Sequence, residues 1–198
     1  TEILGFLFYF DVDVMSVIRN YGIRDTFSDS VIAQAKNNAA VTVSVKKRKD
    51  LRSLLTITID GNDAKDLDDA ISLEKNGNFW RLGVHIADVS HYVQENSIID
   101  KEALKRATSV YLVDRTIPML PERLCNFICS LRPDEDKLAY SVIFLMNEKA
   151  EVKQWKLEHT IIRSDRRFTY EEVQQVLQNH AEASPEDYNA PGDGPAEP

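Results

Sequence analysis

Glycine is scarce in this chain, and the seven present form no phosphate-cradling pattern. Neither a P-loop nor a G-x-G-x-x-G turn occurs, which excludes those two nucleotide sites. Cysteine is scarcer, with two residues, Cys125 and Cys129, spaced four apart. The four histidines (His85, His91, His159 and His180) are scattered, so a structural zinc site lacks its second ligand pair. Two buried thiols in a reducing compartment is the better reading. Long hydrophobic runs are missing too. Ile3 to Phe10, the longest, is too short to span a bilayer and has neither the basic flank nor the cleavage site of a secretory signal. It reads as a buried strand or edge peptide, in a cytoplasmic chain without a membrane partner. Basic charge is short: 24 Lys and Arg against 32 Asp and Glu leave a formal charge of −8. Bulk electrostatics therefore do not support nonspecific nucleic-acid binding, which needs clustered cations. Only Lys46-Lys-Arg-Lys49 is densely basic, and a solvated loop explains it better than RNA contact.

What remains is an ordinary globular composition, 43% hydrophobic and 28% charged over 198 residues, enough for one domain with a sizeable core. Its most unusual stretch runs from Thr56 to Ala70. Asp60, Asp63, Asp66, Asp68 and Asp69 crowd into it behind a β-branched lead-in, Thr56 to Ile59. Carboxylates packed this closely repel one another, and desolvation raises their pKa values further. A fold recovers that cost with a hard divalent cation, and oxygen ligands select Mg²⁺, Mn²⁺ or Ca²⁺ over zinc. The competing reading is a solvated acidic turn between strands. An EF-hand is excluded: counted from Asp60 the required glycine is Lys65, and counted from Asp66 it is Ile71. An oxygen-ligand cation site beside a strand end is suited to phosphoryl chemistry.

The rest of the chain reads as alternating helices and hairpins. Val14, Val17, Ile18 and Tyr21 recur at helical spacing, with Gly22 as the stop. Ser28 caps a second helix carrying Val31, Ile32 and Ala35. Ile71 to Glu74 and Phe79 to Ala87 form a hairpin turning at Asn76-Gly77, with Trp80, Leu82, Val84 and Ile86 on one face. Asp88 caps a turn over Val89 to Val93, and Asp100 caps a helix with Ala103, Leu104 and Ala107 inward. Ser109 to Val113 is a short strand, and Pro121 opens the next helix. Leu138 to Met146 pairs with Val152 to Ile162. Thr169 and Glu172 form a capping box for a helix over Tyr170 to Gln178. From His180 the chain is acidic and proline-rich, a disordered composition.

Several of these blocks resemble the RNase II/RNase R (RNB) exoribonuclease family. Thr58-Ile-Asp-Gly-Asn-Asp-Ala-Lys-Asp-Leu-Asp-Asp-Ala70 is similar to its signature. Ile86-Ala-Asp-Val-Ser-His-Tyr-Val93, Ser109-Val-Tyr111, Ile117-Pro-Met-Leu-Pro-Glu122, Cys129-Ser-Leu-Arg-Pro133 and Ser164-Asp-Arg-Arg-Phe-Thr-Tyr170 follow in the family's order. Gly61 and the overall wording look more like RNase R than RNase II. The resemblance implies a mixed α/β (α+β) catalytic domain, with a mixed or antiparallel sheet and flanking helices. It divides the chain into a lead-in (1–45), the N-terminal half of the catalytic domain (46–179) and a disordered acidic tail (180–198).

It further implies a Mg²⁺-dependent 3′-to-5′ hydrolysis of RNA to nucleoside 5′-monophosphates, with Mn²⁺ as an alternative ion. Asp60, Asp66 and Asp69 would hold the metal, Asp68 would serve the cleavage step, and Tyr111 would stack on the 3′-terminal base of single-stranded RNA. From the residues alone, Asp63 is a loop residue, and composition favours a core tyrosine of a short strand for Tyr111; the Ser109-Val-Tyr111 context tips the reading to the stacking role. By the same resemblance, a catalytic arginine, its supporting glutamate, cold-shock-like modules and an OB-fold domain would lie outside these residues. The chain by itself is then expected to be inactive. A catalytically silent RNA-binding or scaffolding domain is the alternative.

Overall fold

A computed structural model describes residues 12–39 and 47–182. The expected strand over Ile3–Phe10, Lys46 and residues 183–198 of the expected tail lie outside them. Two helices open the described chain, α1 (Val12–Asn20) and α2 (Asp29–Ala39). Gly22 ends α1 with φ +60°, and the Gly22 and Ile23 amides donate to Arg19 O and Ile18 O at 3.2 and 2.9 Å. That pair of bonds satisfies the last carbonyls of the helix, and only glycine adopts the turn without strain. Of α1 only Ile18 is buried, while Tyr21 and Val17 are exposed.

Nine strands follow in the order β1 (Lys49–Asp50), β2 (Thr56–Asp60), β3 (Asp69–Asn76), β4 (Phe79–Ala87), β5 (Val110–Tyr111), β6 (Thr116–Ile117), β7 (Asp136–Met146), β8 (Val152–Arg163) and β9 (Arg166–Thr169). Seven of them build one mixed sheet, β1-β8-β7-β4-β3-β2-β9; β5 and β6 pair apart from it. The pairs β1/β8 and β2/β9 are parallel and the remainder antiparallel. The expected mixed α/β class is therefore the observed one. Between the strands lie α3 (Val89–Tyr92), α4 (Ile98–Arg106) and a π-helix (Arg123–Ile128), and α5 (Tyr170–Glu182) closes the described chain.

The buried cluster unites Val31 and Ala35 of α2, Ile99 of α4 and Leu124 of the π-helix with Ala70, Ala87, Ala139, Ile143 and Ile162 of the sheet. Small residues on that sheet face let the helices approach closely. Trp80, Leu82, Val84 and Ile86 share the opposite face, as alternation requires, and Ile86 is left exposed. The buried side of β4 is instead Gly83, His85 and Ala87.

Several local expectations shift. The β3–β4 turn centres on Gly77-Asn78, because Asn76 pairs with Phe79 and Gly77 takes φ +60°. Glycine at the first central position fits a II′ turn, whose twist matches the strands. Ser97, not Asp100, caps α4: its hydroxyl accepts from the Asp100 amide at 3.1 Å, and Asp100 in turn accepts from the Asn96 amide at 2.8 Å. The face that packs inward is Ile99 and Glu102 with Ala103 beside them, and Leu104 and Ala107 lie outside. The strand expected over Ser109–Val113 shrinks to Val110–Tyr111. The capping box of α5 forms as read, with bonds of 2.7 and 3.2 Å between Thr169 and Glu172, but the helix runs on past Gln178 to Glu182.

The basic run is corrected too. Arg48 is buried against Asp88, which also caps α3, and Lys49 enters β1 and pairs with Glu158 at 3.3 Å. These cations anchor the sheet instead of forming a solvated loop.

Candidate active site

Strand β2 carries Asp60 to its end, and β3 starts at Asp69, so the eight residues between join these neighbouring strands as a loop beyond their ends. Parallel pairing with β9 sets Thr58 beside Arg167 and Asp60 beside Thr169. The far end of the loop is fixed by the Ala87 amide, which donates to Asp68 O at 2.9 Å. Asp60, Asp66, Asp68 and Asp69 consequently line one cleft of about 750 Å³, together with Asp63, Tyr111 and Tyr170. All four expected site aspartates are thus brought together, and Tyr111 with them.

Their electrostatics reflect the crowding. Partial burial raises the Asp60 carboxyl above its usual range, and Asp69 and Asp66 add to the rise, against a lowering by Arg167. Asp68 is raised by desolvation first, then by Asp66, Asp69 and Asp60. Asp60 and Asp68 resist ionising because they are partly desolvated and lie beside other carboxylates, a condition a cation relieves. Oδ2 of Asp60 is buried without a hydrogen-bond partner. The donor chemistry, four carboxylates of which one has an orphaned buried oxygen, fits Mg²⁺ or Mn²⁺. Among the described residues, however, no three such groups converge closely enough to hold an ion as they stand.

Tyr111 is not a core residue. It is 68% exposed on the two-residue strand β5, and its hydroxyl donates to Asp66 Oδ2 at 3.2 Å. Its phenol pKa is raised by desolvation and by Asp66. The ring is left accessible at the lip of the acidic cleft.

Two contributors went unassigned from sequence. Ser130 and Arg167 lie in blocks noted above, but nothing in their spacing announces what they touch. Ser130 Oγ donates to Lys65 O at 2.9 Å and accepts from the Leu67 amide at 3.0 Å. Arg167 donates to Gly61 O and Asn62 O at 2.6 and 2.9 Å. Cys125 and Cys129 are free thiols, each pushed up to about 12 by burial and hence unreactive.

A seven-stranded mixed sheet with an aspartate loop at its edge defines a class, and comparison with known proteins names it. The RNB domain profile matches residues 48–191, and the chain belongs to the RNB family. Within it, the chain is 45% identical over 195 residues to Ribonuclease R 1 of Lactococcus lactis, covering 95% of this chain and 23% of that protein. It is 46% identical over 187 residues to Ribonuclease R of Thermotoga maritima, covering 90% of this chain and 26% of that protein. The chain thus spans about a quarter of the length of these relatives. Among solved structures it is similar to Mycoplasma genitalium RNase R in complex with ribose-methylated single-stranded RNA: TM-score 0.79, 32% identity, covering 87% of this chain and 27% of the other. The fold also matches yeast Ssd1, a pseudonuclease, at TM-score 0.78 and 18% identity.

Proposed function

We propose that this chain carries the metal-binding part of the active site of a Mg²⁺-dependent 3′-to-5′ exoribonuclease of the RNase R type, acting in the cytoplasm on single-stranded 3′ ends. The observation that carries the reading is that Asp60, Asp66, Asp68 and Asp69 line a single cleft with Tyr111 at its lip. Relatives named Ribonuclease R, and a neighbour solved with single-stranded RNA, supply the substrate class.

Asp60, Asp66 and Asp69 would hold the ion. A bound Mg²⁺ supplies charge stabilisation on the phosphoryl oxygens and an acidified water. Asp68, raised in pKa by desolvation first and then by its carboxylate neighbours, would manage a proton at the reacting phosphate. Tyr111 would stack on the terminal base and hold the 3′ end in register. Stacking is tolerant of sequence, which suits an enzyme that must step along any RNA. Nucleoside 5′-monophosphates are the expected product.

A fold shared with a pseudonuclease cannot by itself decide between an enzyme and a silent RNA-binding domain. The site carboxylates favour the enzyme, since a binding surface for phosphates gains nothing from four crowded negative charges. The test is a time course with 5′-labelled single-stranded RNA and a protein extended to the length of the relatives. Stepwise shortening of the labelled strand, stopped by EDTA, is the expected result. RNA binding without shortening would leave the silent domain standing.

A further inference from the structure

The acidic loop contains no regular structure between Asp60 and Asp69, yet its carboxylates must keep fixed spacing to act together. Two residues outside the loop hold it. Ser130 is fully buried and grips the backbone on both sides of Asp66, donating to Lys65 O and accepting from the Leu67 amide. The Leu131 amide adds a bond to Leu67 O at 2.8 Å. Ser130 reaches this position because the preceding helix is π-wound: the Cys129 amide returns to Leu124 O at 2.9 Å, one residue further back than an α-turn would take it. Lys137 of β7 secures the end of that helix by donating to Phe127 O and Ile128 O. Short π segments are energetically poorer than α-helix and concentrate at functional positions.

Arg167 grips the other end, bridging Gly61 O and Asn62 O immediately after Asp60. It lies in register with Thr58 on the parallel strand, and its charge lowers the pKa of Asp60 against the raising effects of burial and the other carboxylates. Arg167 Nε, Thr58 Oγ1 and Asp60 Oδ2 are all buried without partners. The clamp therefore borders the part of the cleft left polar and unsatisfied.

We infer that Ser130 and Arg167 are positioning residues that set the spacing of Asp60 and Asp66, so that the loop binds one divalent cation in a defined geometry. This rests on the catalytic reading above. Neither side chain is expected to touch RNA or the ion. Loss of a partner that orients a metal ligand typically costs about 10–100-fold in affinity or activity.

Two measurements on the full-length protein separate this from a merely structural role. Mn²⁺ binding, followed by the loss of its free-ion electron paramagnetic resonance signal, should weaken by about 10-fold in Ser130→Ala and in Arg167→Lys. The lysine keeps the charge but is shorter and lacks the guanidinium Nη2 that reaches both carbonyls. In RNA degradation, kcat should fall by a similar factor with KM for RNA unchanged. Should Ser130→Ala fold poorly, Ser130→Cys, which keeps a weak donor and acceptor, should show an intermediate Mn²⁺ affinity. Unaltered Mn²⁺ affinity in both Arg167→Lys and a folded Ser130 variant would overturn the inference. Wild-type protein that binds Mn²⁺ tightly in the cleft but degrades no RNA would sink the catalytic reading and leave the clamp standing.

Discussion

Two polar clusters lie within the same sheet and behave in opposite ways. At its centre, His85 bonds Ser72 through Nε2 at 2.9 Å and Ser141 through Nδ1 at 2.7 Å, and Ser141 continues to Thr160 at 2.6 Å. His85, Ser141 and Thr160 are fully buried and all are satisfied. Gly83 makes room for this chain: a Cβ there would lie 2.7 Å from His85 Nε2 and would collide with Ser72 Oγ as well. At the sheet edge the opposite holds. Four carboxylates crowd one cleft, Asp60 and Asp68 have raised pKa values, and three buried polar atoms at the β2–β9 corner find no partner. A polar cluster that serves the fold completes its own hydrogen bonds, whereas one that serves a ligand leaves them open.

Substitutions should separate the two clusters cleanly. Asp68→Asn in the full-length protein should cut RNA cleavage by at least about 10²–10³, a loss typical of removing one group that stabilises a transition state. Affinity for RNA should stay within about twofold of wild type in a filter-binding assay, because stacking and backbone contacts are untouched. Thermal stability should hold or rise, since one of several repelling charges is gone.

His85→Ala should do the reverse. It leaves Ser72, Ser141 and Thr160 short of partners and opens a cavity, so denaturant unfolding should show a loss of about 3 kcal/mol. An unchanged midpoint would mean that the central cluster is not holding the sheet.

The same histidine gives a pH signature of similar size. Burial pushes its pKa down to about 4 from the ordinary histidine value of 6.5. The unfolded chain therefore takes up the proton first, so this stability is present above pH 6.5 and is lost as pH falls from 6.5 towards 4. The total is about 3 kcal/mol, at 1.36 kcal/mol per pKa unit. Unfolding midpoints across that window should slope steeply in wild type and flatten in His85→Gln.

Tyr111→Ala should have the mildest effect, weakening RNA binding by about 1–3 kcal/mol. Some hydrolysis should survive with a shifted final product length, since the 3′ end loses its register. A sequencing gel of the end products reads this directly, and an unchanged terminal length would remove Tyr111 from the RNA path.

Much of this was written in the chain where local chemistry is self-contained. The Thr169–Glu172 box, the Gly22 stop and the β7–β8 hairpin are short-range signals, and they formed where they were read. Offsets arose where two local signals competed. Asn76-Gly77 and Gly77-Asn78 are both turn pairs, and strand register selected the second. Ser97 and Asp100 are both cap residues, and the earlier one won. The aspartates are legible because five in one short stretch behind an apolar strand stand out from the rest of the chain. Arg48, Ser130 and Arg167 were not readable, since each acts through partners between 40 and 106 residues away. Such long-range pairing is settled by the order of the strands, which periodicity does not encode.

The proposed role of the unsatisfied carboxylate cluster on the β2–β3 loop is to hold a divalent ion. Anomalous scattering from crystals grown with Mn²⁺ tests it most directly. A strong peak is predicted in the cleft against Asp60, shared with Asp66 or Asp69, and it should vanish in Asp60→Asn. Mn²⁺ bound only elsewhere on the chain at saturating concentration would contradict the account.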